Sequence, residues 1–132
     1  MSVELTILTL TALLAVSLWI PYIVGLNTTE FATPDENRPH DVAGTVPWVH
    51  RAYRAHLNLI EQFLPFAVIV LIAHLSGVSN DVTVWSAVLF LALRVVHAVW
   101  MIAGFKVFPA RPLIFTGGWL CILAIGIAVL LG

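Results

Sequence analysis

The sequence predicts an all-α integral membrane protein, a bundle of four transmembrane helices in one domain over residues 1–132. Three observations predict it. Of the residues, 61% are hydrophobic and 10% charged, whereas a soluble domain is nearer half apolar and a quarter charged. Mean hydropathy is +1.01. Four stretches of about 20 residues or more carry few charges, and each could cross a hydrocarbon core of roughly 30 Å as a helix.

The first span covers about residues 3–26. It has no basic segment ahead of it, carries Glu4 and is too long for a signal h-region, so it reads as a resident helix. The second span, about 47–76, starts at Pro47, whose missing N–H costs nothing in a first turn. Pro65 inside it should bend the helix. The short "GVSND" makes the second and third spans (81–103) an antiparallel hairpin. The turn "GFKVFPARP" sets the start of the fourth span, 111–131. Between the first two spans, "NTTEFATPDENRPHDVAGTV" is polar and rich in turn formers, an exposed loop. Its acids and His40 match no recognised ligand spacing, so no metal site is expected. Cys121 is the single cysteine and sits within the fourth span, as an inert buried thiol.

Charge distribution sets an expected topology. Arg38, Arg51 and Arg54 precede or open the second span, and Lys106 and Arg111 occupy the third connection. The positive-inside rule then puts loops 27–46 and 104–111 in the cytoplasm and both termini outside. Trp19, Tyr22, Trp48, Tyr53 and Trp100 would form much of the inner aromatic belt. The glycosylation-like Asn27-Thr28-Thr29 falls on the wrong side for use. The lack of a targeting segment suits a bacterial inner membrane. A net charge of -1 gives no reason to expect a nucleic-acid partner.

The chemistry concentrates in "RAYRAHLNLIEQ", residues 51–62. Arg51, Arg54, Asn58, Glu61 and Pro65 recur at three- and four-residue spacing and share one helical arc roughly 80° wide. His56 and His74 lie off that arc and read as packed side chains. In the third span Arg94 and His97 are three apart and share a face. With the hairpin turn centred on Gly77 and Val78, Glu61 comes level with Arg94, Asn58 with His97 and Arg54 with Met101. Charges at such depth must face the bundle interior and find partners. Two readings follow. Glu61 and Arg94 could form an ion pair, with Asn58 and His97 as a rung above it. Arg51, Arg54 and Arg111 lack matching acids in the helices. They could be neutralised by Asp35, Glu36 and Asp41, snorkel to headgroups, or form a basic pocket for an anion.

The stretch "HRAYRAHLNLIEQFLPF" resembles the second-helix signature of the MAPEG family, the membrane-associated proteins in eicosanoid and glutathione metabolism. "RVVHAV" and "PAR" are similar to that family's Arg-x-x-His and Pro-x-Arg elements, and the four-helix layout matches over the whole length. The resemblance implies a homotrimer binding glutathione between subunits near the cytoplasmic face. It implies glutathione contacts for Arg51, Arg54, Asn58, Glu61, Arg94 and His97, and a thiolate-holding catalytic role for Arg111. Departures narrow the activity. His50 replaces the usual glutamate, Met101 a pocket tyrosine, and Pro112 the serine of the prostaglandin-synthase branch. Leu57 replaces a further arginine of that branch. The implied activity is a glutathione transferase or peroxidase acting on a lipophilic electrophile or hydroperoxide. The alternatives are a non-catalytic lipid-binding scaffold of the same fold and a small transporter. The lack of an inverted repeat speaks against the transporter.

Overall fold

This computed structural model describes residues 1–29 and 44–132. The described residues form five helices: α1 (Val3–Ser17), α2 (Ile20–Thr28), α3 (Pro47–Leu75), α4 (Asp81–Ala103) and α5 (Ala110–Leu131). They make four segments long and apolar enough to span a membrane, the first being Val3–Thr28. The protein is an all-α integral membrane bundle. Arg38, His40 and the loop acids Asp35, Glu36 and Asp41 lie outside the described residues.

The first span differs from the single helix expected over 3–26, because it breaks at Leu18 and Trp19. Pro21 explains the break. It has no N–H to give the carbonyl of Ser17, and its ring disfavours helical geometry in the residue before it. The main chain resumes with Ile23 N–H donating to the Trp19 carbonyl. Pro65 has a milder effect, and α3 runs unbroken through it.

α3 buries a seam of Val49, Ala52, Ala55, Leu59, Gln62, Phe66, Val70 and Ala73. The steps of three and four match the helical repeat, and the alanines allow close approach by neighbours. α1 packs on α3 and α4, α2 on α3, and α5 most extensively on α4. One core cluster centres on Phe66 and Phe90, whose rings stack 4.0 Å apart, and includes Ile125 and the free Cys121. A second joins Ala15 and Leu18 to Leu59, Ala98 and Met101.

The bundle has two chemically distinct ends. At one, the α3–α4 turn meets the start of α1. Asn80 caps α4, accepting from the Thr83 main chain at 3.1 Å while the Thr83 hydroxyl accepts from the Asn80 N–H at 3.0 Å. Glu4 is buried beside this cap, its Oε1 accepting from the Ser79 hydroxyl at 2.7 Å. The Thr83 hydroxyl lies 2.8 Å from that oxygen and 2.9 Å from the Asn80 carbonyl. Its one proton serves one acceptor at a time, and the carboxylate is the stronger. Three elements are thereby fastened at one point.

At the other end lie α2, the start of α3 and the α4–α5 connection. Tyr22 and Tyr53 meet with ring centroids 5.0 Å apart. Arg51 Nε donates to the Ile102 carbonyl at 3.2 Å. α4 stops at Gly104 in the left-handed region, φ 76°, as helix C-termini commonly do. A Cβ there would lie 2.8 Å from Arg51 Cζ, so the glycine also gives that arginine its place.

Candidate functional site

The second end opens into a cavity of about 610 Å³ between the α3 and α4 helices and the start of α5. Its size falls within the usual range for small-molecule sites, roughly 300–1,000 Å³. Arg54, Asn58, His97, Lys106, Arg111 and Thr116 supply its polar wall. Phe105, Val107, Phe108, Pro112 and Phe115 supply the apolar one. No acidic residue lines it among the described residues.

Arg54, Asn58 and Arg111 are placed by the helices that carry them. Arg54 and Asn58 are one turn apart on α3, and Asn58 Nδ2 donates to the Arg54 carbonyl at 2.9 Å. The same amide approaches Met101 Sδ at 3.5 Å. Asn58 therefore pairs with Met101 rather than forming the expected rung with His97. Arg111 is exposed in the first turn of α5, free to turn its guanidinium toward a ligand. Phe108 at the rim is 87% exposed, which leaves the cavity mouth apolar on that side.

Of the seven residues singled out in the sequence, the structure brings four together around the cavity: Arg54, Asn58, His97 and Arg111. The other three stand elsewhere. Arg51 is held by the Ile102 carbonyl. Glu61 is exposed on the outer surface of α3. Arg94 lies behind the cavity wall, 1% exposed.

Arg94 does not hydrogen-bond Glu61, although the Glu61 carboxylate stays within electrostatic reach of its guanidinium. Its Nη1 donates to Oε1 of Gln62 at 2.9 Å, and its Nη2 lies 3.4 Å from His97 Nδ1. The guanidinium carbon is 5.7 Å from the centroid of the Phe115 ring, within reach of a cation–π attraction. Gln62 Nε2 in turn donates to the Phe115 carbonyl at 2.9 Å. Arg94, His97 and Phe115 thus form one packed group, of which His97 and Phe115 face the cavity.

Sequence reasoning passed over Gln62 and Phe115. A signal for Gln62 existed: it is the polar member of the otherwise apolar seam of α3. That seam lies about 110° around the helix from the Arg54–Glu61 stripe, close to the 100° that separates adjacent residues. His56 is half-buried with its Nδ1 unpartnered, and His74 is exposed.

Compared with known proteins, the chain is matched by the model of the MAPEG family over residues 6–131, nearly its whole length. No curated protein matches the sequence.

Proposed function

The chain belongs to the MAPEG family, and from that premise we propose that it is a membrane-embedded glutathione transferase or peroxidase. Family membership supports a membrane-associated role in glutathione or eicosanoid chemistry in general. The observation that carries the finer reading is the cavity, lined by Arg54, Lys106 and Arg111 with no carboxylate among the described residues. Glutathione has two carboxylates and a thiol. A basic, partly desolvated cavity of this size suits it, and arginine pairs bidentately with carboxylates.

In this reading Arg54, Asn58 and Lys106 hold the peptide, and His97 and Phe115 close the inner wall. Arg111 stabilises the sulfur as thiolate, since a neighbouring cation favours the charged form. The thiolate then attacks an electrophilic carbon, and the leaving group departs with the displaced electron pair. With a hydroperoxide, sulfur attacks the outer oxygen and the O–O bond breaks, releasing the alcohol after protonation. A second glutathione completes that cycle as disulfide and water. The apolar wall at Phe105 and Phe108 admits a lipophilic partner from the bilayer. The enzyme's contribution is proximity and thiolate stabilisation.

The same reading has the chain assemble as a homotrimer. Support comes from Arg54 and Glu61, exposed on the surface of a membrane-spanning helix. Charges facing lipid are costly, so a neighbouring copy covering that face relieves them. The positive-inside rule supports cytoplasmic loops at 27–46 and 104–111 with both termini outside, as in a bacterial inner membrane. A second reading, a lipid-binding scaffold, draws on Met101, whose side chain supplies no donor where several members of the family have a tyrosine.

The deciding test is a thiolate difference spectrum of purified protein titrated with glutathione, with Arg111→Ala alongside. A saturable signal lost in the variant supports the enzyme; no signal from the wild type supports the scaffold. Glu61→Gln tests assembly: if it trimerises normally but no longer binds glutathione, Glu61 serves the ligand and not the interface.

A further inference from the structure

We propose that Gln62 is a positioning residue of this site: it ties α3, α4 and α5 together behind the cavity while adding no charge of its own beside Arg94. This rests on the reading that the cavity takes an anionic thiol.

Gln62 is 5% exposed, so its amide must be satisfied within the bundle. Both halves of it are. The oxygen accepts from Arg94 Nη1 on α4 and the nitrogen donates to the Phe115 carbonyl on α5, each at 2.9 Å. A side chain with both a donor and an acceptor is required, which few residues supply. Gly118 makes room for it, since a Cβ there would sit 2.5 Å from Gln62 Oε1.

The consequences run in two directions. Phe115 follows Arg111 by four residues, about one turn of α5. The bond to its carbonyl therefore sets the height and rotation of the turn that carries Arg111. Arg94 contacts His97, so the same amide orients that ring in the cavity wall. The second consequence is electrostatic. A glutamate at this position would pair with Arg94 and neutralise it. It would also set a carboxylate oxygen against the Phe115 carbonyl, two acceptors with no proton between them. The neutral amide holds the guanidinium without cancelling its charge, which adds to the positive field of a cavity that Arg94 does not itself line. In a low-dielectric interior such a field reaches an anion one layer away.

The test compares glutathione with its neutralised diester as ligands of the wild type, Gln62→Glu and Gln62→Met, with binding and thiolate absorbance as readouts. Gln62→Glu should lower the preference for glutathione over the diester about tenfold, the size of effect that close charge pairs produce. Gln62→Met should keep that preference but lose a large part of the thiolate signal, because the Arg111 turn is released. An unchanged preference in a folded Gln62→Glu protein overturns the electrostatic role. A thiolate signal equal to wild type in Gln62→Met overturns the positioning role, and this variant carries the test alone if Gln62→Glu does not fold. Absence of glutathione binding by the wild type overturns the functional reading and this inference together.

Discussion

Among the described residues, one end of the bundle buries the acid Glu4 at the α3–α4 turn and the other buries Arg94 beside His97, and Glu4 and Arg94 are each hydrogen-bonded by a neutral side chain. The surroundings differ. Beside Glu4 sit a capping box and two hydroxyls, and its neighbouring cavity is about 210 Å³. In front of Arg94 lies a cavity of about 610 Å³ walled by further cations. The first end spends its charge on joining helices. The second gathers cations around a cavity that no acid lines among the described residues. The helix-joining contact and the proposed site thus stand at opposite ends of the bundle.

Four substitutions would break or sharpen that contrast. The largest effect should come from Arg111→Ala. Losing a group that stabilises developing charge commonly costs about 100-fold or more in rate, so turnover should fall by at least that while circular dichroism stays helical. Next is Glu4→Ala, which strands the Ser79 hydroxyl and unfastens α1. It should lower stability by about 1–3 kcal/mol in thermal unfolding in detergent, with glutathione affinity unchanged. If affinity fell and stability did not, the two ends would not be separate in the way described. Gly118→Ala should act on both properties, because its Cβ would press on the Gln62 amide. A destabilisation of about 1–3 kcal/mol is typical of such overpacking, here with weakened binding. The smallest effect should come from Met101→Tyr. It returns a hydroxyl to a position next to Asn58, and one new hydrogen bond of about 1 kcal/mol would tighten glutathione binding roughly fivefold by isothermal titration.

The legibility of the molecule followed the same division. Span number and approximate limits come from hydropathy and length, which the membrane enforces residue by residue. Depth was readable too: the hairpin centred on Gly77 and Val78 places Arg94 within one residue of its actual partner. Direction was not. Glu61 and Gln62 are adjacent, yet one faces outward and the other into the seam, because one step on a helix turns the side chain by about 100°. The polar stripe drew the eye to the charged member, whereas the buried seam held the answer in a neutral one. The break before Pro21 was legible from the proline itself, and apolar composition alone hid it. The Glu4 clamp had no local signal, since its partners come from a distant turn.

That distance bears on how the chain is made. Ser79 and Thr83 are 75 and 79 residues beyond Glu4. During synthesis the first span therefore reaches the bilayer long before its hydroxyl partners exist. Its carboxylate has to stay at the water boundary until the hairpin of α3 and α4 has been inserted. Placing the acid at the very start of α1 makes that wait possible, because an acid in mid-span would meet hydrocarbon at once. Both hydroxyls precede α5 in the chain, so the Glu4 contact can form without that helix. The helix carrying Arg111 is synthesised after every residue of that contact.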